Sequence, residues 1–145
     1  RETRAFGSFN LHQLFRRGPK KYEIHRNDVV INENVKEKIS NIPLRIGTVN
    51  KGGQGERIYS PLGTAITLSA YGGGAGAKTG LYRVNGKIRK LAPRECARLD
   101  GFPETFKIAE RDIVAYKQFG NSVVVDVLQK IMKNALEKKE VVACL

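Results

Sequence analysis

The sequence predicts a mixed α/β chain, strand-rich to about residue 90 and helical beyond it. Three observations carry that expectation. Between residues 29 and 89 the apolar residues fall in short runs interrupted by glycine, proline and polar clusters, the pattern of short strands and turns. Asn85-Gly86 stands between Leu81-Tyr82-Arg83-Val84 and Lys87-Ile88-Arg89, and this dipeptide is the strongest short-range hairpin signal. From Val123 to Leu136, Val123, Val124, Val127, Leu128, Ile131, Ala135 and Leu136 recur at helical spacing and form a stripe.

The elements follow in order. Ser8 is placed to cap a short helix through Leu11, Leu14 and Phe15, stopped by Gly18-Pro19. Val29-Val30-Ile31 predicts a short strand, and Asn34 to Ser40 a single helical turn ended before Pro43. Leu44 to Val49 predicts a strand that runs into Lys51-Gly52-Gly53-Gln54-Gly55. Arg57 to Tyr59 and Ala65 to Ser69 are β-like, with a turn at Pro61-Leu62-Gly63 between them. A second glycine cluster, Tyr71 to Gly80, precedes the hairpin. Pro93 to Leu99 predicts a helix with proline in its first turn and Gly101 just past its end. Arg111 to Phe119 reads as a turn-like segment, and the last helix is expected from about Val123 to Lys138. Gly120-Asn121-Ser122 before it is a helix start with Asn121 or Ser122 as cap. With 145 residues the chain suits one domain or two small lobes, and the change of character divides it into 1–90 and 91–145.

Charge points to a partner. The formal net charge is +12, which suits a polyanion. From Arg45 to Lys90 eight basic residues face one acid, Glu56, whereas Leu91 to the end holds nine basic and eight acidic residues. The middle is therefore the electrostatic footprint. It is too glycine-rich to be one amphipathic membrane helix. No apolar run approaches the ~20 residues of a membrane span, and no signal-peptide pattern opens the chain. Cys96 and Cys144 form neither metal spacing nor a disulfide framework, as expected of a reducing, cytoplasmic setting. The opening residue, Arg1, slightly favours a piece of a longer polypeptide.

Several motifs have competing readings. The cluster Lys51 to Arg57 is either a plain flexible loop or a base-reading one. Glycine allows close backbone approach, and Gln54 and Arg57 can hydrogen-bond base edges in the major groove. Gly72 to Thr79 nearly spells a phosphate-binding P-loop, but Ala77 stands where glycine is needed, and a hairpin follows instead of a helix. A backbone platform for DNA phosphates, with Lys78 and the ring of Tyr71, fits better. Cys96 lies in a predicted helix and is best read as a packed small residue, although Arg94 and Arg98 nearby are of the kind that lowers a thiol pKa. His12 and His25 lack partners at triad or ligand spacing, and no metal site is expected.

Three blocks together resemble the C-terminal part of bacterial DNA cytosine-5 methyltransferases, most closely the HhaI type. Lys51-Gly-Gly-Gln-Gly-Glu-Arg-Ile-Tyr-Ser60 and Ala65-Ile-Thr-Leu-Ser-Ala-Tyr-Gly-Gly-Gly74 are similar to the target recognition domain. Arg89-Lys-Leu-Ala-Pro-Arg-Glu-Cys-Ala-Arg98 with Gly101-Phe-Pro103 is similar to the family's ninth motif, and Ala115-Tyr-Lys-Gln-Phe-Gly-Asn-Ser-Val-Val124 to its tenth. The match covers residues 44 to 136 well and the first 40 loosely. It implies a small strand-rich target recognition lobe followed by C-terminal helices of an S-adenosylmethionine-dependent methyltransferase domain. Gln54 would fill the gap left when the target cytosine is flipped out and pair with the orphaned guanine, since the reactive carbon is buried in the stacked duplex. Arg57 would read a guanine, Tyr71 to Gly74 would contact the recognised bases, and Arg45, Lys51, Thr67, Ser69 and Lys78 would meet DNA as well. Asn121 and Ser122 would help close the S-adenosylmethionine pocket.

The family's glycine-rich cofactor loop, Pro-Cys nucleophile and Arg-containing motif are not found in this chain. Glu33-Asn34-Val35 spells the acidic motif, but in the wrong lobe. The chain alone is therefore expected to be inactive, to carry no catalytic residue, and to need an N-terminal catalytic half, as separate subunit or same polypeptide. Ala92 replaces the capping threonine usual before the ninth-motif helix, and Phe102 stands where tyrosine is common. The target is expected to be G-C-G-C, in a bacterial restriction-modification setting. The rival is a stand-alone DNA-binding module without methylation activity.

Overall fold

The structure, a computed structural model, describes residues 11–15 and 20–143, with 12, 13 and 138–143 in backbone only. It is a mixed α/β fold. Five short strands form one sheet in sequence order: β1 (Val30–Ile31), β2 (Arg45–Thr48), β3 (Arg57–Tyr59), β4 (Leu81–Val84) and β5 (Lys87–Arg89). All neighbours are antiparallel except β3 and β4, which run parallel with Ile58 opposite Leu81. Among the described residues there are also four α-helices: α1 (Leu11–Leu14), α2 (Pro93–Leu99), α3 (Asp112–Gly120) and α4 (Val125–Ala143).

The β4–β5 hairpin and α2 lie where the sequence places them. Asn85 (φ 51°) and Gly86 (φ 77°) both take positive φ, as a two-residue type I′ turn requires. Pro93 opens α2, Gly101 follows it at φ 82°, and with no hydroxyl at Ala92 only the reciprocal half of a capping box is made. There the Glu95 carboxylate accepts the Ala92 N–H at 2.7 Å. Ser8 and Gly18-Pro19 lie outside the described residues.

Four expectations are corrected. Asn34 to Ser40 is not helical: the Val35 N–H closes a turn onto the Asn32 carbonyl, and Ser40 N–H bonds across to the Leu62 carbonyl at 2.9 Å. Ala65 to Ser69 is not a strand, because β4 already occupies the edge beside β3. Its amides find other acceptors, Ile66 N–H the Tyr82 hydroxyl and Ser69 N–H the Lys78 carbonyl. The segment expected to be turn-like is the nine-residue α3, whose Ala115, Tyr116 and Phe119 are buried. Burial of that face supplies what a helix this short lacks on its own. Neither Asn121 nor Ser122 caps α4. Asn121 ends α3 in the right-handed helical region, while the first N–H of α4, on Val125, is held by the Asp100 carbonyl at 2.8 Å.

The main core lies between the sheet and α1, α2 and α3, and side chains from both sides of Leu91 share it. Leu11, Tyr82, Leu91, Cys96, Ala97 and Ala115 are fully buried there. Ile46, Val49, Ile58 and Leu81 form a second cluster within the sheet. Complete burial of an aliphatic side chain such as Leu91 or Ile58 stabilises by about 1.5–3 kcal/mol. Arg89 on β5 makes a bidentate pair with Glu95 on α2, at 3.0 and 2.7 Å, with both side chains almost fully buried. That pair ties the sheet to the first of the C-terminal helices.

α4 stands apart. Val123, Val124, Val127, Leu128, Ile131, Met132 and Leu136 are all exposed, so the apolar stripe expected from spacing faces outward. Among the described residues no helix is long and apolar enough to cross a membrane.

Candidate nucleic-acid interface

The two glycine clusters meet backbone to backbone. Gly55 lies so close to the second loop that a Cβ there would stand 1.9 Å from the Gly73 carbonyl oxygen, and one on Gly72 would stand 1.7 Å from that of Ala77. The Gly76 N–H donates to the Gly55 carbonyl at 2.7 Å. Gly74, at φ 91°, turns the second loop back toward Gly55 and Glu56. Only glycine permits such an approach. The two loops are thus in direct backbone contact.

Around this junction the side chains the sequence singled out are exposed or half-buried. Arg45, Lys51, Gln54, Thr67 and Tyr71 are exposed, as is Gly74, and Arg57, Ser69 and Lys78 are half-buried. Gln54 heads a 3-10 turn, Gln54–Glu56, that was expected to be irregular loop. Arg57 sits opposite Thr48 across the β2–β3 ladder, and its Nε is buried with no hydrogen-bond partner among the described residues. Tyr71 projects with three-quarters of its surface open and carries the Lys117 ammonium 5.3 Å above its ring. Ser69 and Lys78 also have internal roles. The Ser69 hydroxyl accepts the Gly72 N–H at 3.0 Å, and the Lys78 ammonium donates to the Ala70 carbonyl.

No P-loop geometry is present at Lys78-Thr79. Thr79 is buried, donates to the Gly80 carbonyl and accepts the Leu91 N–H, and β4 follows directly. Cys96 is likewise no nucleophile. It is fully buried, as a packed small residue is, and burial first, with Asp100 and Glu95 adding to it, pushes the thiol far up despite Arg94 and Arg98 nearby in sequence. Among the described residues no cluster of His, Cys, Asp or Glu is arranged to hold a metal ion.

Four residues at the site escaped the sequence reading. Asn50, at φ 49°, turns the chain into the first loop, and Glu56 braces that loop from inside. The Glu56 carboxylate accepts the Asn50 side-chain amide at 2.6 Å and the Gly53 N–H at 2.9 Å, and these bonds hold its pKa below the ordinary carboxylate range. Asp28 accepts the Asn50 N–H at 2.8 Å and is itself gripped by Arg26, which lowers its carboxyl to about 2. Glu56 had a signal, being the one acid in a basic stretch. Asn50 and Asp28 had none strong enough, since their contact spans 22 positions.

The fourth is Gly120 at the end of α3. A Cβ there would stand 2.2 Å from the Ala70 nitrogen, so the helix end is seated directly on the strand of chain that leads into Tyr71. Asn121, exposed, and Ser122, half-buried, come immediately after. Ser122 lines a groove of about 530 Å³ with Phe102, Phe106, Ile108, Gln118 and Phe119. The Asn121 amide is exposed, and the Ser122 hydroxyl donates to the Val123 carbonyl at 3.4 Å. Phe102 stacks against Phe106 at 4.5 Å and Phe119 at 5.8 Å, and needs no hydroxyl for that contact.

The sequence and the fold both have counterparts among known proteins. Residues 9–137 match the family model for the C-5 cytosine-specific DNA methylase. The chain is 59% identical over 111 residues to Type II methyltransferase M.HhaI of Haemophilus parahaemolyticus, covering 77% of this chain and 34% of that protein. It is 42% identical over 67 residues to Type II methyltransferase M.HgiCI of Herpetosiphon aurantiacus, covering 46% of this chain and 16% of the other. The crystal structure of the S. pombe Dnmt2 methyltransferase has the same fold over 89% of this chain and 40% of its own length, with TM-score 0.60 at 18% identity. The chain thus spans about a third or less of the curated relatives named here. With its glycine loops, its α2 and α3 blocks and most of its length matched, the chain belongs to the C-5 cytosine-specific DNA methylases, a family dependent on S-adenosylmethionine.

Proposed function

We propose that this chain is the target-recognition half of a DNA cytosine-5 methyltransferase, reading duplex DNA while a catalytic half outside these 145 residues supplies the nucleophile. The observation that carries the reading is the junction of the two glycine loops. It places exposed Gln54 beside the loop bearing Tyr71, in a segment with eight basic residues and one acid. Gln54 occupies the space vacated by the flipped cytosine and pairs with its guanine, and Arg57 reads a guanine edge in the major groove. Arg45, Lys51, Thr67, Ser69 and Lys78 contact the backbone, which fixes register and supplies salt-dependent affinity. The preferred duplex is G-C-G-C, and the setting is the bacterial cytoplasm.

S-adenosylmethionine supplies the methyl group when bound. Asn121 and Ser122 offer an amide and a hydroxyl to its polar end, and the rest of its pocket belongs to the catalytic half. The exposed face of α4 is where that half covers this one. A contiguous apolar face of this kind is uncommon on a monomer.

The test is labelled methyl transfer to G-C-G-C DNA, by this chain alone and after addition of an N-terminal methyltransferase half. No transfer alone and transfer after addition is the expected result. Transfer by the chain alone would mean that it holds a nucleophile of its own. Specific binding with no transfer in either case would favour a DNA-binding module without methylation activity.

A further inference from the structure

We propose that Asn50 and Glu56, anchored by Asp28, are positioning residues that hold Gln54 in the conformation that enters the duplex. The proposal rests on the role given to Gln54 above. Gln54 is exposed, and the bonds described below reach it through its backbone neighbours Gly53 and Gly55.

The argument is one of restraint on both flanks. On the upstream side Glu56 Oε2 accepts the Gly53 N–H at 2.9 Å, and the Gly53 carbonyl accepts the Glu56 N–H at 2.9 Å, so residues 53 and 56 close on each other around Gln54. On the downstream side Gly55 is pinned by the Gly76 N–H and by the wall of Gly73 and Ala77. The remaining carboxylate oxygen, Oε1, takes the Asn50 side-chain amide at 2.6 Å. Asn50 is in turn fixed by the bond from its N–H to Asp28 and by a positive φ that asparagine tolerates better than most residues. Asp28 holds its place through two bonds from Arg26. A glycine-rich loop would otherwise sample many conformations, and ordering it on binding would weaken binding. The carboxylate at position 56 sits among basic residues that face a polyanion. Its placement makes sense if both its oxygens are spent inside the loop.

The experiment uses this chain and two fluorescent duplexes, intact G-C-G-C and the same duplex with the target cytosine replaced by an abasic site. The abasic duplex presents an orphaned guanine without any need for flipping. Anisotropy titrations give the preference for it, and a duplex of unrelated sequence reports phosphate affinity. The variants are Asn50→Gly, which keeps the positive φ and removes the amide, Glu56→Gln, which leaves one acceptor oxygen for the two donors on Gly53 and Asn50, and Gln54→Ala. Asn50→Gly and Glu56→Gln are expected to lower the preference about threefold to tenfold, the range of one or two hydrogen bonds. Asn50→Gly should leave affinity for the unrelated duplex close to that of the unsubstituted chain, Glu56→Gln should raise it slightly by removing a negative charge, and the melting temperature of both should change little. In the Gln54→Ala background neither substitution should lower the preference further, a non-additivity that general loosening of the fold does not produce.

If Gln54→Ala loses the preference while Asn50→Gly and Glu56→Gln keep it, the brace is wrong and the reading of Gln54 stands. Additive losses in the double variants also overturn the brace. If the unsubstituted chain shows no preference, or Gln54→Ala retains it, the reading of Gln54 fails and the brace falls with it.

Discussion

Replacing Gly55 with alanine tests the junction on which the interface depends. The added Cβ would stand 1.9 Å from the Gly73 oxygen, 3.1 Å from the Gly73 carbon and 3.3 Å from the Ala77 Cα, all backbone. Ordinary contact begins near 3.4 Å, so the two loops must part by about 1.5 Å. The Gly76-to-Gly55 hydrogen bond, 2.7 Å long, does not survive that displacement. Overpacking of this kind costs about 1–3 kcal/mol, and the lost bond adds about 1 kcal/mol. The total, about 2–4 kcal/mol, corresponds to a fall in melting temperature of about 5–12 °C for a chain this size. Gly73→Ala is the control, since a Cβ there meets nothing within 4 Å and its φ is not positive. It should leave stability unchanged, or raise it by up to about 1 kcal/mol through the unfolded chain. Thermal unfolding by circular dichroism, with duplex binding by anisotropy, reads both. Two facing loops that answer the same substitution so differently would establish the contact. Equal behaviour of the two variants, or a Gly55→Ala chain with unchanged melting and binding, would refute it.

Four further outcomes are expected. Glu95→Ala strands the buried Arg89 guanidinium and removes the acceptor for the Ala92 N–H, a loss of about 3–5 kcal/mol in urea unfolding; a loss below about 1 kcal/mol would show that the pair is not structural. Asp100 is buried with one carboxylate oxygen unpartnered, and burial pushes its pKa up to about 6 from the usual 3.8. The folded chain therefore retains a proton that the unfolded chain releases, and this stabilisation is full below about pH 4 and lost as pH rises through about 6. Asp100→Asn should gain about 1–2 kcal/mol near pH 8 and nothing near pH 4, and a gain that does not vary with pH would contradict the assignment. On α4, Leu128→Lys with Ile131→Glu should reduce hydrophobic-dye binding by the isolated chain without lowering its melting temperature, because both side chains are exposed; a clear drop in melting temperature would mean the face is packed. Arg57→Ala should cost about 1–3 kcal/mol at one guanine and relax specificity there, whereas uniformly weaker binding to all duplexes would assign Arg57 to the backbone instead.

Much of the site was legible because its chemistry is written locally. Gln54, Arg57 and Tyr71 stand out as side chains able to meet bases beside glycine, on a stretch nearly free of acids. Asn85-Gly86 and Pro93 with Gly101 announce their turn and helix through backbone preferences of one or two residues. The apolar stripe of α4 follows from periodicity, but its outward direction does not. By contrast, α3 carries only three buried positions, too short a pattern to distinguish from a turn. Ala65 to Ser69 alternates well enough for a strand, yet its place in the sheet is taken. The supposed cap at Asn121 fails because the chain ends one helix there before it begins the next.

The sequence by itself determined the chemistry available to this protein: a basic, glycine-punctuated segment, a hairpin, a proline-led helix, an amphipathic last helix and the motifs of its family. Each depends on torsional preference, spacing or charge within a few residues. The tertiary structure alone decided that β3 pairs in parallel with β4, that Gly55 abuts Gly73, that Gly120 seats α3 beneath Tyr71, and that Cys96 is silenced by burial. Those outcomes join positions far apart in the chain. They are set by which strand edge is free, which backbone can approach another without a Cβ between them, and which groups lose their water.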